Sequence, residues 1–227
     1  SVGAGTCLRT GSSSCADVGV TQVAGSDLST CAMKPDGTLR CWGYNAQNQL
    51  GNGTTTTAIT PVDRLSLSGV MEMAFGYRHH CARMRNGTVQ CWGVGTNGQL
   101  GNGLGTNSGN SPVAVTGLTN VMQVACGYNH CCARRSDGTV WCWGLNSSGQ
   151  LGDETTAQRN APVRVAYLNN VVHIATGHNH SCAIRQNGTT WCWGANGSGQ
   201  LGDGTTSNQS RATQMPNFLG ATMLTAG

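Results

Sequence analysis

The sequence predicts an all-β fold, a β-propeller, and three observations support that prediction. Trp-Gly pairs recur at Trp42, Trp92, Trp143 and Trp193, with spacings of 50, 51 and 50 residues. The apolar runs between them are short and bounded by Gly and Asn, which is typical of strands rather than helices. Each repeat holds a cysteine pair around a Gly-containing turn, as in "CARMRNGTVQCWG" from Cys81. A unit of about 50 residues with three or four short strands is typical of a propeller blade.

The composition narrows the class of protein. Only 10% of the 227 residues are charged, whereas about 25% is usual, and the formal net charge of +4 is not clustered into a basic run. We therefore expect no nucleic-acid partner. No apolar stretch approaches the roughly 18 residues of a membrane span. The chain begins at Ser1 without a signal-like segment, and we interpret it as a processed mature protein or a trimmed form.

The cysteines fit the geometry of a β-hairpin. The chain has 12 cysteines, a number that is rare in cytosolic proteins without metal-binding spacing. If Cys31 lies opposite Cys41, Lys34 faces Thr38, and a three-residue loop ends in Gly37. Such a loop is a type I turn followed by a bulge, with Gly in the left-handed conformation. The cysteines then occupy a non-hydrogen-bonded pair with Cα atoms about 4.5 Å apart, which a disulfide accepts.

The same count applies to all four repeats. It predicts the disulfides Cys31–Cys41, Cys81–Cys91, Cys132–Cys142 and Cys182–Cys192, with Gly37, Gly87, Gly138 and Gly188 at the turns. Each would contribute about 2–3 kcal/mol of stability in the chain-entropy estimate. Reduced thiols or a metal cluster are the alternative. Cys126 and Cys131 lie outside the hairpin pattern, and they pair either with each other or with another chain.

The two ends of the chain resemble parts of one repeat. The last residues, "PNFLGATMLTAG", copy the start of a repeat, and the first, "SVGAGTCLRTGSSSC", contain a hairpin-like pair, Cys7 and Cys15. We therefore predict that Thr222 to Gly227 pairs as a strand with the region from Val2 to Leu8. Closure within one chain and closure between chains both remain open. The prediction is one propeller domain over 1–227, with the N-terminal hairpin of a split blade at 1–19, four full repeats at 20–215 and the C-terminal strand of the split blade at 216–227.

The combined motifs resemble a known family. G-x-x-H-x-C-A, D/N-G-T-x-x-C-W-G and G-Q-L-G-D/N are together similar to the regulator of chromosome condensation repeats, over roughly Val20 to Gly227. The resemblance implies a β-propeller, usually of about seven blades. The best-known activity of the family is nucleotide exchange on a small nuclear GTPase. The resemblance also extends to secreted bacterial propellers, including one type that inhibits β-lactamases through protein–protein contact. This chain differs in having sequence for only about five blades and in its hairpin cysteines.

Histidines recur at one position of the repeat. His79, His130 and His180 each lie two residues before a hairpin cysteine. Equivalent positions of a propeller form a ring, so a metal or ligand site is conceivable. The resemblance instead implies that each ring bonds the backbone of a neighbouring blade. Ser29 replaces His in the first repeat, which favours this structural role. We therefore expect neither a metal nor another cofactor, and we interpret the G-Q-L-G glycines as close packing positions rather than a phosphate site.

The sequence lacks the motifs of common enzymes. It has no G-x-S-x-G elbow, no H-E-x-x-H helix and no carboxylate pair that recurs as an acid/base candidate. We therefore predict a non-catalytic extracellular or cell-surface propeller, structural or binding, that acts through protein–protein contacts. Its partners are other proteins, and copies of itself are included if inter-chain blade completion builds a fibre or surface layer. The alternative is a regulatory protein-binding propeller, such as a nucleotide-exchange factor or a secreted enzyme inhibitor.

Overall fold

The all-β fold and the four blades are confirmed. The structure is a computed structural model that describes residues 19–63, 67–109, 111–216 and 218–226. Within those ranges the chain forms four antiparallel sheets of four strands each, and no helix occurs there. The strands are β1 (Gln22–Gly25), β2 (Ser29–Met33), β3 (Leu39–Gly43), β4 (Ala58–Asp63), β5 (Val70–Phe75), β6 (His79–Met84), β7 (Val89–Gly93), β8 (Val113–Ala114), β9 (Val121–Cys126), β10 (His130–Arg135), β11 (Val140–Gly144), β12 (Arg159–Arg164), β13 (Val171–Thr176), β14 (His180–Arg185), β15 (Thr190–Gly194) and β16 (Gln209–Gln214).

Each sheet is a meander whose strands pair in chain order. The first strands of neighbouring sheets contact one another, β1 with β5, β5 with β9 and β9 with β13. These first strands therefore lie innermost, and the fourth strands lie at the outer edge. We call the hairpin formed by the second and third strands of each sheet its outer hairpin, and the connection between the first and second strands its inner turn.

The outer hairpins have the predicted register. Cys81 pairs with Cys91 across β6 and β7. Met84 N donates to Thr88 O at 2.9 Å, and Gly87 N donates to Met84 O at 2.9 Å, so the loop has three residues. Gly87 has a φ of +74°, which an L-residue adopts only with strain.

Two prolines lie in the outermost strands of their sheets. Pro61 lies inside β4 and Pro162 inside β12. Proline has no N–H to donate to a strand ladder, so it is tolerated at an edge where one side of the strand is unpaired. Pro61 and Pro162 therefore lie at the outer edges of their sheets, whereas Pro112 and Pro216 lie just outside β8 and β16.

The core lies between the sheets. In the interface between the third and fourth sheets, Cys132, Cys142 and Leu151 pack against Ile174 and Trp193. The other two interfaces repeat this arrangement with the equivalent residues. Each outer-hairpin disulfide is therefore an apolar surface for the next sheet as well as a cross-link within its own sheet.

The last sheet packs against the C-terminal segment. Leu224 contacts the cluster of Cys182, Cys192 and Leu201. Ile174 makes the equivalent contact with the hairpin disulfide of the third sheet. Gly220 N donates to Gly188 O at 3.1 Å. Residues 218–226 start a fifth repeat in this way, although no strand forms in that range. The strand predicted from Thr222 to Gly227 is therefore not formed in its described part. Residues 1–18 and 227 lie outside the described residues, and so do Cys7, Cys15 and the partner segment predicted from Val2 to Leu8.

The described part of the chain contains no helix with the length and hydropathy that a membrane crossing requires.

Candidate binding site at the inner turns

The four inner turns meet at one end of the molecule and line a cleft of about 280 Å³. The same position of each repeat is occupied by Asp27, Tyr77, Tyr128 and His178. Asp27 is the only carboxylate among the described residues that line this cleft. One variable position of the repeat therefore contributes a chemically different side chain to the cleft from each sheet.

Three of these four side chains form a stack. The Tyr77 and Tyr128 ring centroids are 4.3 Å apart with an interplanar angle of 13°. The Tyr128 and His178 centroids are 4.0 Å apart at 21°. Backbone bonds hold the turns in this spacing, because Tyr77 N donates to Tyr128 O at 3.2 Å and Tyr128 N donates to His178 O at 3.0 Å. We call Tyr77, Tyr128 and His178 the aromatic ladder.

Charges flank the ladder on one side. Arg78 Nη2 donates to the Tyr77 hydroxyl at 3.2 Å, and its guanidinium lies 4.8 Å from the Tyr77 ring centroid. Desolvation and a hydrogen bond with Tyr77 raise the pKa of Tyr128, so this phenol stays protonated as a donor at neutral pH. Asp27 is exposed on the adjoining turn. The surface thus offers aromatic faces and both signs of charge.

The recurring histidines lie beneath the ladder and link neighbouring sheets. His130 Nε2 is 2.9 Å from Ser181 Oγ in the next sheet, and His79 Nε2 is 3.1 Å from Cys131 Sγ. A Cβ at Gly76 would overlap the His79 ring, which explains the glycine of G-x-x-H. The sequence predicted that each histidine ring bonds the backbone of a neighbouring blade. The structure shows that His79 and His130 instead contact a side chain in the second strand of the next sheet.

Burial keeps these histidines neutral. Desolvation lowers the pKa of His79 to about 3 and that of His130 to about 3, and it lowers the pKa of His180 as well. In the first sheet the roles are reversed, since Ser29 Oγ lies 3.1 Å from His80 Nε2. The polar pair between sheets is retained although the residues that form it differ, which is the behaviour of a structural contact.

The cysteines outside the hairpin pattern form a disulfide with each other. Cys126 lies at the end of β9, lines the cleft and is bonded to Cys131 at the start of β10. Their sulfurs and a His79 ring nitrogen lie within 4.8 Å of one another. Three such atoms are a plausible metal-ligand set, but ligation needs thiolates, and both sulfurs are used in the bond.

The remaining predicted residues lie in the outer hairpins. Disulfides join Cys31–Cys41, Cys81–Cys91, Cys132–Cys142 and Cys182–Cys192, with Cα–Cα distances of 4.0–4.1 Å. The turn glycines Gly37, Gly87, Gly138 and Gly188 have φ between +74° and +78°. None of these groups reaches the cleft, so the repeat motif serves packing and the inner turns form the candidate site.

The motif tryptophans join one sheet to the preceding one. Trp92, Trp143 and Trp193 are buried, and their Nε1 atoms donate to the carbonyls of Gln49, Gln99 and Gln150 at 2.8–2.9 Å. A Cβ at Gly101 would lie 2.8 Å from the Trp143 ring. The second G-Q-L-G glycine is therefore a close packing position, as the sequence indicated. Trp42, in the first sheet, is only half-buried.

A second link between the inner strands was missed from the sequence. Gln123 Oε1 accepts from Ile174 N at 3.0 Å, and Gln123 Nε2 donates to Ile174 O at 3.0 Å. Gln22 makes the same two contacts with Met73. Glu72, at the equivalent position, only accepts, from Val124 N at 3.1 Å. The signal was a polar residue at the same repeat position of every inner strand, namely Gln22, Glu72, Gln123 and His173, in an otherwise mostly apolar strand.

Comparisons with known proteins agree with this architecture. The chain matches the RCC1-like domain family over residues 7–227. It is 31% identical to human E3 ubiquitin-protein ligase HERC2 over 137 residues, which cover 57% of this chain and 3% of that protein.

Solved structures show the same fold. Human WBSCR16 superposes with a TM-score of 0.77 at 24% identity, over 87% of this chain and 53% of that one. Yeast RCC1 (Prp20), solved bound to Kap60, gives 0.77 at 21% identity, over 87% and 49%. This chain therefore spans about half the length of these solved relatives. Domains of this family typically serve in binding and regulation. With the family match over nearly its whole length and the same fold in both solved relatives, this chain belongs to the RCC1-like domain family of β-propellers.

Proposed function

We propose that this chain is a non-catalytic, protein-binding propeller that works outside the cell or at the cell surface. The observation that supports the proposal most directly is the aromatic ladder at the mouth of the cleft. Tyrosines present large, rigid, amphipathic surfaces that lose little entropy on binding, and they are enriched among the residues that dominate protein–protein affinity. The preferred occupant is a loop of another protein that places an aromatic or arginine side chain against the ladder.

The chemistry of the cleft supports binding over catalysis. General acid/base work requires a titrating group that is free to exchange protons near neutral pH. His79 and His130 are fully buried, carry pKa values of about 3 and point at the next sheet. Asp27 is alone as a carboxylate among the described lining residues. His178 and Asp27 also line the cleft, and no hydrogen bond or ion pair joins these two among the described residues. The cleft is therefore better suited to holding a partner than to acid/base work.

The disulfides support the extracellular assignment. Ten cysteines of the described ranges form five disulfides, and such bonds persist in oxidising compartments and are rare elsewhere. Non-reducing peptide mapping of protein taken from its natural source, alkylated before lysis, tests the assignment. Linked hairpin peptides are expected, and free thiols at these cysteines would place the protein in a reducing compartment.

The binding proposal is tested by comparing variants at two tyrosine sites. The double variant Tyr77→Ala and Tyr128→Ala removes two rings of the ladder. Tyr167→Ala is the matched control, because Tyr167 is 82% exposed and does not line the cleft. Proteins cross-linked to the wild type in an extract of the source should be retained by the control and lost with the double variant. Equal capture by all three proteins would refute the proposed surface.

Self-assembly is a second candidate, and one pair of residues favours it. Gln200 is exposed, while its equivalents Gln49, Gln99 and Gln150 are buried under the next sheet's tryptophan. Trp42 is the only half-buried member of the four motif tryptophans. The fourth sheet thus exposes the acceptor half of a contact, and the first sheet exposes the donor half. A second copy placed head to tail would join them, and such a contact repeats without closing.

The mass in native solution tests this second candidate. If the exposed sides of the first and fourth sheets associate between copies, the mass rises with protein concentration. Trp42→Glu should then return the protein to a monomer, and Tyr167→Glu should not. A monomeric mass at all concentrations would exclude assembly. The regulatory alternative has a separate test, acceleration of nucleotide release from a small GTPase.

A further inference from the structure

The Cys126–Cys131 disulfide differs from the other four described disulfides in its position. It joins the first and second strands of the third sheet at the inner turn, whereas the others join second and third strands. The equivalent pair in the second sheet is Phe75 and His80, and in the fourth sheet it is Thr176 and Ser181. The bond is therefore not part of the repeat and is not needed to form a sheet of this kind.

The two sulfurs of this bond have different surroundings. Cys126 is half-buried and lines the cleft. Cys131 is 0% exposed, and its sulfur is enclosed by His79 Nε2 at 3.1 Å and Cys81 Sγ at 3.6 Å. Of the two residues, only Cys126 lines the cleft, so a thiolate that enters from the cleft approaches the bond from the Cys126 side. Attack on the disulfide is therefore directed to one of its two ends.

We propose that Cys126 is a thiol–disulfide exchange site for small thiols that enter the cleft. The thiolate RS⁻ forms a new S–S bond with Cys126 Sγ as the Cys126–Cys131 bond breaks, and the electron pair leaves on Cys131 Sγ. The proton that RSH released to water is taken up by Cys131. The sum is RSH plus the disulfide giving Cys126–S–SR and the Cys131 thiol, with no further oxidant or reductant.

His79 is placed to stabilise the leaving sulfur. Its Nδ1 atom is buried without a partner among the described residues, and an unpaired buried N–H is rarer than an unpaired acceptor. The proton therefore resides on Nε2, which faces Cys131 Sγ at 3.1 Å. As charge develops on Cys131, this N–H donates a charge-assisted hydrogen bond, which is stronger than the bond to the neutral disulfide.

The hairpin disulfides lack this combination of features. Their eight cysteines are at most 5% exposed and lie in the packed interfaces between sheets. Exchange depends on access to the attacked sulfur. We therefore expect the Cys126–Cys131 bond to exchange well before the hairpin bonds do.

The experiment uses reduced glutathione as the probe under native conditions. The folded protein is incubated with glutathione, quenched with acid, then unfolded in guanidinium with excess N-ethylmaleimide, so that the buried Cys131 thiol is alkylated. The product is analysed by intact mass and peptide mapping. Among the ten cysteines of the described ranges, we expect one glutathione at Cys126, one maleimide at Cys131 and four intact hairpin disulfides. The pair Cys126→Ser and Cys131→Ser should lose this adduct, while Cys182→Ser with Cys192→Ser should retain it. Circular dichroism establishes that each variant is folded.

The role of His79 has its own readout. Replacing it with Phe should slow adduct formation at Cys126 by about tenfold, which corresponds to about 1.4 kcal/mol. His79→Gln retains an N–H donor and should recover most of the rate, and His130→Phe, in the neighbouring interface, should leave the rate unchanged. A uniform loss in all three variants would show a structural role only.

Two results would overturn the proposal. One is a protein that takes up no glutathione at Cys126 under conditions that already open a hairpin disulfide. The other is a mixed disulfide found mainly on Cys131, which would show that the buried side is the accessible one.

Discussion

The outer hairpins and the inner turns follow opposite rules within the same four sheets. Every outer hairpin has the same disulfide, the same three-residue loop with Gly at the third place, and the same Trp-Gly ending. The inner turns share their backbone path, yet they present Asp27, Tyr77, Tyr128 and His178 at one position. The difference shows which part of the repeat maintains the architecture and which part is available for recognition.

Packing explains the uniformity of the outer hairpins. A residue there contacts its own sheet and a neighbouring one, so a substitution disturbs the packing of both sheets. Interiors packed to crystal-like density tolerate little change of volume. A side chain at the inner turn faces the cleft, where a different group costs little stability. Substitutions in the two regions should therefore differ in their effect on folding.

The largest effect is expected for the interface tryptophan. Trp143→Ala should lower the free energy of unfolding by about 4 kcal/mol, because it leaves a cavity and an unpaired carbonyl at Gln99. Trp42→Ala is the matched change at a half-buried position, and it should cost less than half as much. Urea denaturation of both variants measures the difference. Equal losses would mean that the first sheet is covered as fully as the third.

A smaller effect is expected at the hairpin turn. Gly87→Val should cost about 2–3 kcal/mol, because φ is +74° and a Cβ would lie 3.2 Å from the Asn120 backbone. Thr88→Val should cost about 1 kcal/mol, since Thr88 Oγ1 donates to Asn86 Oδ1 at 2.7 Å. Thermal melts of the two variants would show the same shift only if the loop were built differently.

The link between inner strands should depend on pH at one sheet. Desolvation raises the pKa of Glu72, although Arg83 and Val124 N oppose the shift. A raised folded-state pKa means that the folded form binds the proton more tightly than the unfolded form. This contribution to stability is present at low pH and is lost as the pH rises through the folded-state pKa of Glu72. Glu72→Gln removes that loss and should raise the melting temperature at about pH 7. The gain should shrink at about pH 4, where a larger fraction of Glu72 is protonated.

The reverse substitution is the control for this pH effect. Gln123→Glu cannot donate to the Ile174 carbonyl, and it should lower the melting temperature at about pH 7 more than at about pH 4. If both variants gave shifts independent of pH, the ionisation of this position would have no part in stability.

The smallest effect on folding is expected at the inner turns. His178→Ala removes one ring of the aromatic ladder, and a stacked pair contributes only about 0.5–1.5 kcal/mol beyond area burial. We expect a loss of stability below about 1 kcal/mol, measured by urea denaturation, together with weaker partner capture. A loss comparable with that of Trp143→Ala would remove the distinction between the two regions.

Local rules were sufficient for the fold and the hairpins. The period of the Trp-Gly pairs indicated the blades, and the number of residues between cysteines, counted with the turn glycine, indicated the register. The register depends on residues within about ten positions of each other, where turn chemistry restricts the backbone.

The sequence by itself determined the repeat, the strands and the outer-hairpin register. These follow from a local residue pattern, and the same pattern occurs in every repeat. Only the tertiary structure decided that Tyr77, Tyr128 and His178 stack, and that His79 faces Cys131. These partners lie about one repeat apart, and whether they meet depends on the angle and spacing between packed sheets. The pairing of Cys126 with Cys131 was likewise left open by the sequence, since it depends on the inner hairpin and on no turn motif.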